Sequence, residues 1–152
     1  WYSMFDGKVW SKDTKLSARG EGEYGTTGTP ALVVFNNKLY CFHQGRELKG
    51  QLWYTTFDGN RWSKDQFVPD IGLSQSPAVA VFNGKLYCVH EGMKDEGWLW
   101  YTTFDGNNWT TDTKLSARGE GDYGTTGTPA LVVFNNKLYC FHQGREFKGQ
   151  LW

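Results

Sequence analysis

Arg19, Glu21 and Tyr24 stand in one glycine-rich segment, and Arg46 and Glu47 in another, with His43 just before it and Trp53 just after. The same set returns later as Arg118, Glu120, Tyr123, His142, Arg145, Glu146 and Trp152. Between them lies a shorter variant carrying Glu91, Trp98 and Trp100. Arg and Glu offer charge-assisted hydrogen bonds to neighbouring hydroxyls, and an aromatic ring covers the apolar C–H face of a pyranose. These are the requirements of a saccharide site, and all seventeen positions are ligand-binding candidates. Blander roles compete at each. A loop Arg or Glu is more often solvated or paired with another charge, Trp53 and its counterparts suit packing between structural units, and a His after an apolar strand suits a hydrogen-bonded core position.

Other chemistry finds less support. His43, His90 and His142 are far apart in sequence and no carboxylate-rich loop accompanies them, so neither a metal nor a cofactor is expected. There is no G-x-S-x-G, H-E-x-x-H or phosphate loop, and the polar groups recur unit by unit instead of forming one asymmetric centre. The expectation is a protein that is not an enzyme. Repetition suits multivalent binding, in which weak sites add through effective concentration.

The elements that would position these residues are repeats. Asp13–Trp53 and Asp112–Trp152 differ only by Glu23 becoming Asp122 and Leu48 becoming Phe147. A diverged copy lies between. Phe5-Asp6-Gly7, Phe57-Asp58-Gly59 and Phe104-Asp105-Gly106 mark one position, and Leu39-Tyr40-Cys41, Leu86-Tyr87-Cys88 and Leu138-Tyr139-Cys140 mark another. The landmarks recur after 47 or 52 residues, a period that signals a repeat architecture. We expect one repeat domain, 1–152, with repeats at about 1–52, 53–99 and 100–152.

Lys plus Arg and Asp plus Glu each number 16, with no block of like charge, so the basic footprint of a nucleic-acid binder or polybasic membrane contact is missing. No apolar run reaches the length of a membrane span. A first residue that is Trp points to processing, cloning as a fragment, or numbering from a mature end. The sequon Asn108-Trp109-Thr110 occurs in one repeat only. The three Cys fall at one equivalent position inside an apolar run, where small core residues fit better than disulfides.

Aromatics at 17% and 19 Gly, with few helix formers, point to β-sheet with tight turns. Ala31–Phe35, a turn at Asn36-Asn37, and Lys38–His43 read as a hairpin; the middle copy has Asn83-Gly84 at that turn, a strong hairpin signal. A long loop leads to Leu52–Phe57, and a second tight turn at Asp58-Gly59-Asn60 leads to a brief fourth strand around Trp62. The first two strands are apolar on both faces, as in a sheet sandwiched between neighbours. Four-stranded antiparallel units of this size, stacked radially, describe an all-β β-propeller. A β-trefoil is the alternative. Two blades, 31–62 and 78–109, would be complete, and one would be split between the termini. Three blades are too few to close a ring, so a homodimer exchanging terminal hairpins in a six-bladed ring is expected; the other option is a fragment of a longer array. Tight turns should share one rim and the long loops the other, making the long-loop rim the candidate binding face.

Ser76-Pro77-Ala78 through Phe82-Asn83-Gly84-Lys85-Leu86-Tyr87, followed by Leu99-Trp100-Tyr101 and Phe104-Asp105-Gly106, resembles the bladed β-propeller lectins of the Photorhabdus-lectin type. The resemblance covers all three repeats and implies binding of glycans or glycoconjugates, fucosylated or methylated glycans being the usual class, with sites between blades. It favours a secreted or extracellular location. The chain departs from the family in its three repeats and its long Arg19–Thr27 segment. The FDGxxW turn is similar to the Asp-box of sialidases, but the spacing of Ser3-Met4-Phe5-Asp6 differs, so we read it as shared hairpin geometry. A protein-interaction or structural propeller module, and a piece of a glycoside-processing enzyme, are the alternative functions.

Overall fold

The structure is a computed structural model that describes residues 1–16, 25–45, 50–93, 97–118, 124–144 and 151. It is all-β apart from single turns of 3-10 helix such as Leu115–Arg118. Strands β1 (Ala31–Phe35), β2 (Lys38–Gln44), β3 (Gln51–Phe57) and β4 (Gln66–Gly72) form one antiparallel four-stranded sheet in sequence order. β5 (Ala78–Phe82), β6 (Lys85–Glu91), β7 (Leu99–Phe104) and β8 (Thr113–Lys114) form a second. β9 (Ala130–Phe134) and β10 (Lys137–Phe141) pair as a two-stranded sheet. Residues 1–14 make a further hairpin, bridged at Tyr2–Thr14 and Phe5–Trp10. Each four-stranded sheet is an open meander, whereas the trefoil alternative requires strands of different repeats in one closed barrel.

Turn chemistry sets these meanders. Asn36-Asn37, Asn83-Gly84 and Asn135-Asn136 all have positive φ, between 48° and 72°, the conformation that matches a two-residue turn to the twist of its strands. The second hairpin turn is held by a carboxylate: Asp58 Oδ1 accepts the backbone N–H groups of Asn60 and Arg61, each at 2.8 Å. Asp6 and Asp105 do the same in their copies. A Cβ on Gly106 would come within 2.9 Å of Asn36 Nδ2, so the two kinds of tight turn share a rim. At the other rim the entry to each first strand bridges the end of the second, at Thr26–Gly45, Leu73–Gly92 and Thr125–Gly144.

The fourth strand is not the segment around Trp62. Trp62 makes an isolated bridge to Phe57, and the strand that pairs with β3 is Gln66–Gly72, with Gln66 opposite Tyr54 and Phe67 opposite Trp53. It contains Pro69 and Asp70, residue types that favour turns and loops. An edge strand tolerates a proline because one side of it needs no donor. Asp70 takes φ 62°, and the pairing shifts register between Gln51 and Trp53, as a bulge requires.

The core lies between the first two sheets. Phe35, Tyr40, Phe42 and Tyr54 face Leu86, Cys88 and Phe104, and Trp109 inserts between Phe42 (5.9 Å), Tyr54 (6.0 Å) and Phe104 (4.8 Å). The hairpin of residues 1–14 packs on the first sheet in the same manner, Tyr2 lying 5.8 Å from Trp62. β5 lies between β1 and β9, so the first strands of the three sheets are neighbours.

Two expectations follow. Phe42 is fully buried, so Phe42→Ala should lower unfolding free energy by about 3–5 kcal/mol in urea titration. The turn carboxyls Asp6, Asp58 and Asp105 are held below the ordinary aspartate range, chiefly by the backbone N–H groups they accept. A carboxyl with a lower pKa folded than unfolded adds stability above the unfolded value and loses it as pH falls through the folded one. Melting temperature should therefore fall on acidification below the ordinary aspartate range, and replacing all three by Ala should flatten that part of the profile.

Candidate functional site

The long-loop rim is stitched together by backbone. Leu73 N–H, entering the second sheet, donates to Gly50 O of the first at 2.6 Å, and Thr125 N–H, entering the third, donates to Gly97 O of the second at 2.6 Å. Gln44 Nε2 donates to Leu73 O at 3.2 Å, and its Oε1 accepts from Thr27 Oγ1 at 3.1 Å. Ser74 Oγ donates to Gly92 O. Each sheet thus grips the loop of the one before it.

Tryptophans line this rim. Trp53, at the start of β3, is half-buried and packs 5.3 Å from the Phe67 ring. Trp100 occupies the equivalent place in β7, half-buried, and a Cβ on Gly92 would lie 2.7 Å from its Nε1. Only a residue without a side chain lets the backbone pass the indole. Trp98 is also half-buried, but Lys114 Nζ sits 3.5 Å from its ring centroid, a cation–π contact that covers one face.

The candidates divide accordingly. Trp53, Trp98 and Trp100 lie at the rim with ring area in reach of solvent. His43 and Glu91 are 5% and 4% exposed, so they are core groups and leave little for a ligand to touch. Arg118 ends the 3-10 turn after β8, and His142 follows β10 half-buried. Arg19, Glu21, Tyr24, Arg46, Glu47, Glu120, Tyr123, Arg145, Glu146 and Trp152 lie outside the described residues.

The histidines have a partner that residue-type reasoning missed. His43 Nε2 is 2.9 Å from Asp65 Oδ1, and His90 Nε2 is 3.1 Å from Asp112 Oδ1. An ionised carboxylate only accepts, so each imidazole donates from Nε2. The other nitrogen, Nδ1, lies 3.4 Å from the Gln44 carbonyl oxygen in His43 and 3.1 Å from the Glu91 carbonyl oxygen in His90, and donates to it only when the ring carries both protons. The signal was the constant separation of 22 residues from His to Asp in both copies. The Cys two residues before each His is free. Burial, and then the Asp65 charge, push the Cys41 thiol up to about 11, and burial pushes Cys140 up to about 11. Cys88 is raised further, by burial and then by the Asp112 charge. These thiols stay protonated at neutral pH. Among the described residues, no three His, Cys, Asp or Glu side chains gather as a metal site would require.

No family model and no curated protein matches the sequence. Among solved structures, a mutant of NanB sialidase from Streptococcus pneumoniae is similar at 14% identity over 78% of this chain, with a TM-score of 0.49. The chain spans only 19% of that protein's length.

Removing an acceptor from a buried imidazole should cost stability and leave surface recognition alone. Asp65→Ala and Asp112→Ala should each lower stability by about 1–3 kcal/mol, the cost of an unsatisfied buried donor, in denaturant titrations.

Proposed function

We propose that the protein is a non-enzymatic, multivalent carbohydrate-binding protein whose four-stranded sheets are blades of a β-propeller, with its sites along the long-loop rim. The observation that carries this reading is the recurrence of a half-buried tryptophan at the start of the third strand, Trp53 in one sheet and Trp100 in the next, at the same rim. A ring fixed on a rigid strand with one part open to solvent is a platform for a pyranose face. The radial reading is supported by the neighbouring first strands β1, β5 and β9 and by the repeated packing of Tyr54 on Trp109 and Tyr2 on Trp62.

In this reading Arg46, Glu47, Arg145 and Glu146 supply hydrogen bonds to ligand hydroxyls, and the motif resemblance directs attention to fucosylated or methylated glycans and to an extracellular setting. The middle copy has neither Arg nor Glu at those two positions, and Lys114 already covers Trp98. The first and third sites therefore bind one ligand, and the middle one binds it weakly or differently.

A glycan array identifies the ligand, and titration calorimetry then tests the site. Replacing Arg46 and Arg145 by Ala removes charged hydrogen bonds worth about 1.5–3 kcal/mol each, so each site should weaken by about one to two orders of magnitude with melting unchanged. An array without a saccharide hit would move the reading to a polypeptide-binding module. Arg variants that bind glycan normally would move the site off this rim.

A further inference from the structure

β1–β2 and β9–β10 have the same sequence, and their side chains have different surroundings. Phe35, Tyr40 and Phe42 are 5%, 7% and 0% exposed, whereas Phe134, Tyr139 and Phe141 are 62%, 38% and 43% exposed. In the first sheet that face is covered by the second sheet. The opposite face of β1 shows Leu32 and Val34, 58% and 67% exposed, whereas their counterparts Val79 and Val81 in the second sheet pack against the core. The molecule thus bears two apolar faces that match the two halves of its own internal interface.

Two strand edges are open as well. Among the described strands, β10 pairs with β9 alone. In the hairpin of residues 1–14, Tyr2 pairs with Thr14 through both backbone bonds, which turns the N–H and C=O groups of Ser3 to the other edge, where no described strand lies. The joint itself is begun, since Gln143 bridges Leu151 as Gln44 pairs with Leu52 and Glu91 with Leu99.

We propose that β10 is completed by the first hairpin of a second copy of this chain, forming a four-stranded sheet across two molecules. The register of β2 on β3 transfers directly. Leu138 pairs with Phe5, and Cys140 with Ser3, of the second copy. The exposed face of Phe134, Tyr139 and Phe141 then meets Leu32 and Val34 of that copy, in the geometry of the first and second sheets. Trp10, 70% exposed, takes the place that Trp109 holds between sheets.

A polar detail fits the same joint. Asp13, the counterpart of Asp65 and Asp112, accepts the Ser3 hydroxyl at 2.7 Å and no imidazole of the described residues. In the paired sheet, Asp13 of the second copy stands opposite His142, and each sheet acquires its His–Asp pair. Two copies would give six four-stranded sheets, two complete in each chain and two shared between the chains. This inference rests on the radial arrangement of the sheets and is independent of any ligand, so failure of the glycan array leaves it standing.

Light scattering of the 152-residue chain at micromolar concentration should report a closed oligomer, a whole multiple of 17.4 kDa; a folded monomer would overturn the proposal. Phe134→Asp changes a side chain exposed in the single chain and should reduce the mass to that of one chain while near-ultraviolet dichroism persists. Retention of the oligomer would place the interface elsewhere. In Ser3→Cys, the new thiol lies opposite Cys140, about 5.5 Å apart between Cα atoms of such a pair, within disulfide reach. Mild oxidation should give a covalent dimer on non-reducing gels, with a disulfide-linked peptide joining the substituted position to Cys140. An oligomer without that link, or a link confined to one chain, refutes hairpin exchange even where Phe134→Asp proves poorly folded.

Discussion

Each sheet of this protein carries apolar side chains on both faces, and neither face is stable in water alone. An antiparallel sheet with one solvated face would alternate apolar and polar residues; Tyr40, Cys41, Phe42 and His43 instead form a run of buried positions in β2. A neighbouring sheet meets that requirement for the first two sheets, and the aromatic seam where Phe42, Tyr54 and Phe104 enclose Trp109 is the form their contact takes. Rings with centroids about 5–6 Å apart in tilted and edge-on arrangements give packing beyond area burial alone.

The seam also separates scaffold from rim. Towards one end it is closed by tight turns whose geometry is supplied locally, by Asn at positive φ and by Asp carboxylates accepting backbone N–H groups. Towards the other, the chain must cross from one sheet to the next, and Leu73 and Thr125 bond back to the preceding loop as it does so. Buried His–Asp pairs hold the ends of the second strands just beneath. Functional variation is free to occupy the long loops because the strands beneath them are already satisfied. The same His–Asp pairing explains why a histidine that recurs in every repeat need not be a ligand contact: recurrence marked a structural unit.

Local signals made much of the fold legible. Asn36-Asn37 and Asn83-Gly84 identified hairpins, the three-fold landmarks identified repeats, and the two-face apolar strands identified stacked sheets. The fourth strand was hidden because Pro69 and Asp70 look like loop when read alone; edge position makes the first tolerable and a bulge makes the second useful. At the rim, the sequence brought forward Trp53, Trp98 and Trp100, and they lie there. It could not show that Lys114 covers Trp98 or that Glu91 is buried, because both depend on the packing of segments that are separate in the chain.

Phe42 and Phe141 set the boundary between what sequence and tertiary structure decide. Both stand in the same fifteen-residue context, Ala31–Gly45 and Ala130–Gly144, and both lie on a strand that follows an Asn-Asn turn. Propensity, turn geometry and hairpin register are properties of short stretches of chain, so identical stretches make identical hairpins, with Leu32 opposite Cys41 and Leu131 opposite Cys140. Burial belongs to the neighbour. Phe42 is enclosed because Trp109 and Tyr54 arrive from elsewhere in the chain, and Phe141 is 43% exposed where no sheet among the described residues covers it. The hydrophobic effect acts on area removed from water, whichever segment removes it, so the sequence alone determined the strands, and only the tertiary arrangement decided which of them became core.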